Sequence, residues 1–202
     1  MSTQFWGIFS GVLVACSGIW YVARVFRAEV HPHITSWMVW TLIAVALLLS
    51  YGSAGAKEGD NIWAAVFGLV NPLVITVVAL WKGSWNKPDR IDWVCVTLAL
   101  LSLTLWWFVQ GDKALALYAL LLALLADGFT TGPMIRAARK NPMIDRPGPW
   151  ALFGIASGVN ILAITEHTTA NYVHPIYMLI GSLAVACFLW RGNVRARSAP
   201  QK

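Results

Sequence analysis

Asp127 follows the run Ala114 to Ala126, in which Tyr118 is the one residue that is not Ala or Leu. A carboxylate carried to the centre of a bilayer costs roughly 2.5–3.5 kcal/mol on insertion scales, so such a group usually faces an interior cavity and serves a function. The chemistry open to it there is recognition of a polar solute or exchange of a proton. The structural alternative is a hydrogen bond to Thr130, Thr131 or a neighbouring helix. A second polar point is Asn71-Pro72, in the middle of the apolar stretch from Ile62 to Lys82. Proline removes a backbone N–H and leaves a carbonyl without its helical partner, and membrane proteins tolerate that only against protein or a cavity. The side-chain amide and the released carbonyl suit a polar solute, and an ordinary proline kink is the alternative.

Asn160 and Ser157, Ser17, and Ser50 stand alone in three further apolar runs and complete a candidate polar cavity; each also serves as an interhelical hydrogen bond. Trp20, Trp40 and Trp106 are placed to stack on a ligand ring. Most of the twelve Trp residues, among them Trp37, Trp81, Trp85, Trp93, Trp150 and Trp190, lie near helix ends and read as interface anchors. Gly7 with Gly11, Gly128 with Gly132, and Gly154 with Gly158 are small-residue pairs at four-residue spacing, which lets helices approach closely. Pro72, Gly128, Gly132 and Pro133 are the candidate hinge.

Other chemistry finds little support. Cys16, Cys95 and Cys187 are odd in number and lie inside apolar runs, which predicts neither disulfides nor a metal site. His31-Pro32-His33, and His167 with His174, read as loop histidines rather than a ligand set. Nucleophile-elbow, phosphate-loop and zinc-protease motifs are absent, so neither an enzyme nor a cofactor is expected.

The elements that must position these residues are membrane helices. The chain has 202 residues, 58% hydrophobic and 12% charged, and its charges cluster between long apolar runs. That composition belongs to a membrane protein. A helix needs about 20 apolar residues to cross, and seven segments approach that length: 5–26, 36–56, 62–82, 91–110, 114–137, 149–165 and 173–191, the sixth being the shortest. No strand alternation predicts a barrel, and no polar stretch is long enough to fold separately, so residues 1–202 form one membrane domain. Met1 to Gln4 lacks a basic residue and the run behind it exceeds a signal core, so the first helix is read as retained.

Thirteen of the fifteen Lys and Arg residues fall on one side of this seven-helix arrangement, leaving Lys57 and Lys113 on the other. Cytoplasmic loops collect basic residues, so the N-terminus is expected outside and the C-terminus in the cytoplasm. The basic residues are spread over four loops with no soluble domain to present them, so nucleic acid is not expected as a partner.

Sliding the chain by 110 positions pairs Ser17-Gly18 with Asp127-Gly128, Pro32 with Pro142, Trp40 with Trp150 and Ser50 with Asn160, and a slide of 109 pairs Leu80-Trp81-Lys82-Gly83 with Leu189-Trp190-Arg191-Gly192. The expected plan is therefore two parallel three-helix repeats, 5–82 and 114–191, with 91–110 as linker helix and 192–202 as a basic cytoplasmic tail. Parallel repeats of this kind place a solute site near the midplane, between the halves.

This three-plus-one-plus-three layout, with Ala126-Asp127-Gly128 through Pro133 and with Asn141-Pro142, resembles the SWEET and PQ-loop superfamily, and most of all its bacterial seven-helix members. The Pro-Gln pair of PQ-loop proteins is replaced by Gly132-Pro133-Met134 in one half and Val22-Ala23-Arg24 in the other, and of the prolines SWEET transporters carry in both halves only Pro133 matches. The resemblance implies movement of a small polar solute by rocking of the halves in a bacterial inner membrane. It implies a solute contact for Asn71, whose repeat mate is Ile180-Gly181, and loosely a proton role for Asp127. The other function classes are a receptor, a membrane enzyme and an assembly factor. A retinal receptor is disfavoured because Tyr172 to Trp190 contains no lysine. Whether the protein works alone or as a homo-oligomer is left open.

Overall fold

The computed structural model describes every residue except 1, 31, 33, 57–59, 83–86, 89, 141–144 and 199–202. His31, His33, Lys57, Trp85 and the Asn141-Pro142 pair therefore lie outside the described residues. Among the described residues seven α-helices follow one another: α1 Thr3–Phe26, α2 Ile34–Ser53, α3 Trp63–Trp81, α4 Arg90–Val109, α5 Lys113–Lys140, α6 Pro147–Asn160 and α7 Thr169–Ser198. Short 3-10 turns precede α3 (Asp60–Ile62) and follow α6 (Ile161–Ala163). No strand occurs among the described residues.

Six of these helices are long and apolar enough to cross a membrane, which is consistent with a multi-pass membrane protein. The seventh, α6, has 14 residues. With its three-residue 3-10 turn it reaches about 27 Å, just short of the ~30 Å hydrocarbon thickness. The sequence places the end of this segment at 165, but the backbone turns extended at Ile164. Helix α7 continues to Ser198, so residues 192–198 of the expected basic tail are helical. Its start moves forward to Thr169 because the Thr168 hydroxyl accepts from the Asn171 N–H at 3.3 Å, a cap that makes the first turn helical.

Local chemistry sets several ends. Ser2 caps α1, its Oγ accepting from the Phe5 N–H, and Arg24 sits in the last turn, where a cation complements the helix dipole. Asp112 caps α5, its Oδ1 accepting from the N–H groups of Ala114 at 2.8 Å and Leu115 at 3.1 Å. Pro147 opens α6 at a position where a missing N–H is harmless.

In packing, α1 lies against α3 and α6, and α2 against α3 and α5. Helix α7 lies against α5 and α6, while α4 packs on α5 and α2 at one side. Small residues permit these contacts, as expected where lipid removes the hydrophobic drive between helices. Ala99, Ala116, Ala119, Ala123 and Ala126 are fully buried. A Cβ on Gly7 would lie 1.9 Å from the Asp60 carbonyl oxygen, and one on Gly154 would lie 2.9 Å from Leu183. The outer faces carry Trp81, Trp107 and Phe108, all strongly exposed and suited to lipid.

Candidate functional site

A cavity of about 140 Å³ lies among α1, α2, α3, α5, α6 and α7, and among the described residues α4 contributes nothing to its wall. Ser17, Trp40, Asn71, Pro72, Asp127 and Asn160 all line it, so most of the polar residues singled out from the sequence converge on one space. Trp20 does not. Its ring sits against Gly148, where a Cβ would approach to 2.4 Å, and borders a second cavity. Trp106 is also elsewhere, donating its indole N–H to Ser53 at 2.8 Å.

On one wall the Asn71 amide donates to the Val14 carbonyl at 2.8 Å and to Ser17 Oγ at 3.3 Å. Ser17 in turn donates to the Val14 carbonyl at 2.6 Å. Pro72, inside α3, has no N–H for the carbonyl of Gly68, and Gly68 also borders the cavity. The opposite wall holds Asp127, whose Oδ2 accepts from the Tyr177 hydroxyl at 2.9 Å. This is a structural bond for the carboxylate of the kind the sequence allows, made to α7 by a residue not singled out. A Cβ on Gly128 would lie 3.3 Å from the same hydroxyl, whereas one on Gly132 meets nothing within 4 Å. Helix α5 runs on through Pro133 without interruption.

Trp37, Trp40 and Trp150 line one end of the cavity, and Asn160 and His174 line the other. At one end Trp40 meets Trp150 edge to face, centroids 5.8 Å apart, and the aromatic chain continues through Trp37 to Tyr21 at 5.0 and 4.9 Å. Trp37 and Trp150, expected as interface anchors, instead line the cavity. Beyond them, the Trp150 N–H donates to Asp145 Oδ2 at 3.0 Å and the Arg146 backbone N–H donates to Oδ1 at 2.6 Å. Asp145 is buried in the loop before α6, and burial raises its pKa to about 6 despite these bonds.

The other end is a buried amide network. Asn61 Nδ2 donates to the Tyr51 hydroxyl at 2.5 Å and to Asn171 Oδ1 at 3.3 Å, and Asn160 Nδ2 donates to the Asn61 carbonyl at 3.0 Å. Tyr51 donates to the Asn171 carbonyl at 3.3 Å. That bond has a local cause: Pro175 lies inside α7, four residues on, and cannot offer the helical N–H. The His174 ring stacks on Tyr51 at 4.4 Å. His174 is thus a buried residue of α7 lining the cavity, not the loop histidine expected. Tyr51, Asn61, Asn171, His174 and Tyr177 were not selected from the sequence as cavity residues. Pro175 inside an apolar run was the available signal for this end.

The arrangement offers hydrogen-bond donors and acceptors, one carboxyl group and several aromatic faces in an otherwise apolar space. Among the described residues no group of three His, Cys, Asp or Glu is placed to hold a metal ion. No protein-family model matches this chain, and no curated protein or solved structure matches it.

Proposed function

We propose that this chain is a small-solute transporter that works by alternating access, built as two parallel three-helix repeats, α1–α3 and α5–α7, with α4 as linker. The observation that carries the reading is the cavity itself. Its wall draws on all six repeat helices and holds Asn71 on one side and Asp127 on the other. An apolar cavity of about 150 Å³ accommodates benzene, so a solute near the size of one six-membered ring fits this state.

Three further observations support the two-repeat plan. Exchanging α1 with α5, α2 with α6 and α3 with α7 converts the contact pairs among these six helices into one another: α1·α3 into α5·α7, α2·α3 into α6·α7, and α1·α6 into α5·α2. Trp40 and Trp150, mates under the 110-position slide, touch each other. Asn61 and Asn171, also 110 positions apart, share a hydrogen bond. Mates that meet are what an axis along the membrane normal, running between parallel repeats, brings about. The basic-loop asymmetry supports an outside N-terminus and insertion in a bacterial inner membrane. Asp127 is the group that would couple a proton to the solute.

Alternating access is tested by replacing Ser157, which lines the cavity, with Cys in a background lacking Cys16, Cys95 and Cys187. Reaction with a membrane-impermeant thiol reagent from either face of a vesicle is the expected result. Reaction from one face only, in a folded protein, favours a receptor or an assembly factor.

A further inference from the structure

A second cavity, about 320 Å³, opens where α1 ends and α6 begins, and Arg24, Glu29, Arg146, Asn193 and Trp20 form its working wall. Both guanidinium groups converge on one atom. Arg24 donates through Nη1 to Glu29 Oε2, and Arg146 Nε stands 3.8 Å from the same oxygen. Arg146 is steadied by Nη1, which donates to Asn193 Oδ1 at 3.3 Å, and Asn193 is anchored by its own bond to the Leu189 carbonyl at 2.8 Å. The Trp20 ring lies 5.9 Å from the Arg24 guanidinium carbon, a cation–π contact that fixes the second arginine.

Two features single this cluster out from an ordinary surface ion pair. The Nε atoms of both arginines are buried and lack a hydrogen-bond partner among the described residues, so donor capacity is left over at each. Among the described residues Glu29 is also the one carboxylate in ion-pair contact with both guanidinium groups. The nearby Asp145 turns its oxygens to Trp150 and to the Arg146 backbone. Planar guanidinium forks match the oxygens of carboxylate and phosphate groups.

We propose that this cavity is an anion-binding site in which an oxyanion group, phosphate or carboxylate, sits between Arg24 and Arg146 at the place Glu29 Oε2 now occupies. Glu29 is then a built-in competitor that the anion displaces. It is carried on the turn after α1, next to Ala28, whose φ of 55° is left-handed, so the competitor sits on a short backbone segment outside the helix. The site stands apart from the transport reading, because binding at equilibrium requires no movement of solute. A soluble anion and a lipid headgroup share this chemistry.

The experiment is a titration of purified protein with inorganic phosphate, followed by tryptophan fluorescence, since Trp20 and Trp190 border the cavity. It is run in neutral detergent and in nanodiscs of phosphatidylcholine with or without phosphatidylglycerol. Saturable binding is expected, tightened at least threefold in Glu29→Gln and weakened at least tenfold in Arg24→Gln or Arg146→Gln. The gain in Glu29→Gln keeps the test decisive if an arginine variant fails to fold. Phosphate binding in phosphatidylcholine that disappears with phosphatidylglycerol assigns the site to a headgroup, and binding retained in both assigns it to a soluble anion. No saturable binding by wild type and Glu29→Gln, or binding indifferent to both arginines, overturns the proposal.

Discussion

The side chain of Asn61 donates to that of Asn171 at 3.3 Å, joining the turn before α3 to the first turn of α7, and Tyr51 touches both residues. This network lies behind Asn160 and His174 at one end of the cavity, whereas aromatic rings line the other.

Tyr51→Phe leaves the Asn171 carbonyl buried without a donor, because Pro175 cannot supply one. The expected loss of stability is about 1–3 kcal/mol, read as a lower melting temperature in detergent. Pro175→Ala restores an N–H to that carbonyl. The double variant is therefore expected to recover part of the loss, with a coupling energy of about 1 kcal/mol. Strict additivity would separate the proline from the tyrosine hydroxyl.

Gly18 and Gly132 are expected to behave oppositely when replaced by Ala. A Cβ on Gly18 would lie 2.1 Å from Asn71 Oδ1, so Gly18→Ala must displace the amide from its bonds to Val14 and Ser17. Overpacking of this kind costs about 1–3 kcal/mol. At Gly132 a Cβ meets open space, and α5 gains helix propensity of up to about 1 kcal/mol. Melting temperatures of the two variants check the contrast.

Asp145 predicts a pH dependence. Its folded pKa is raised from 3.8 to about 6, so the folded state holds the proton more tightly than the unfolded one. The resulting stability is present below pH 3.8 and is lost as pH rises through 6. A shift of this size corresponds to about 3 kcal/mol. Asp145→Asn keeps one acceptor, for the Trp150 N–H, gives up the one that meets the Arg146 N–H, and removes the buried charge. It is expected to be more stable than wild type at pH 7.5 and to show a flatter profile between pH 4 and 6. A wild-type profile without a downward slope in that interval contradicts the assignment.

Much of the cavity was legible because a polar residue in an apolar run is conspicuous. Ser17, Asn71, Asp127 and Asn160 were found this way. Helix number was legible for the same reason, since long apolar runs have few alternatives in a bilayer. The residues missed are those whose type suits two environments. Trp37 and Trp150 have an apolar body and a polar tip, so near a helix end they read as interface anchors, and Tyr177 fits an apolar run as well as a cavity. Their inward direction depends on how α2, α6 and α7 pack in the bundle, which no local pattern specifies. Asn61 and Asn171 lay at apparent loop edges. Their burial comes from the pairing of chain segments 110 positions apart. The sequence carries α6 too far because apolar residues continue past Asn160 after the α-helical backbone has ended.

The most direct test of the central claim is uptake of a mixed pool of small metabolites into proteoliposomes, with and without a pH gradient, comparing wild type, Asp127→Asn and Tyr177→Phe. The account predicts accumulation of at least one polar compound that follows the gradient in wild type, is lost in Asp127→Asn and is altered in its pH profile by Tyr177→Phe. Absence of uptake of any compound by folded wild-type protein would contradict it.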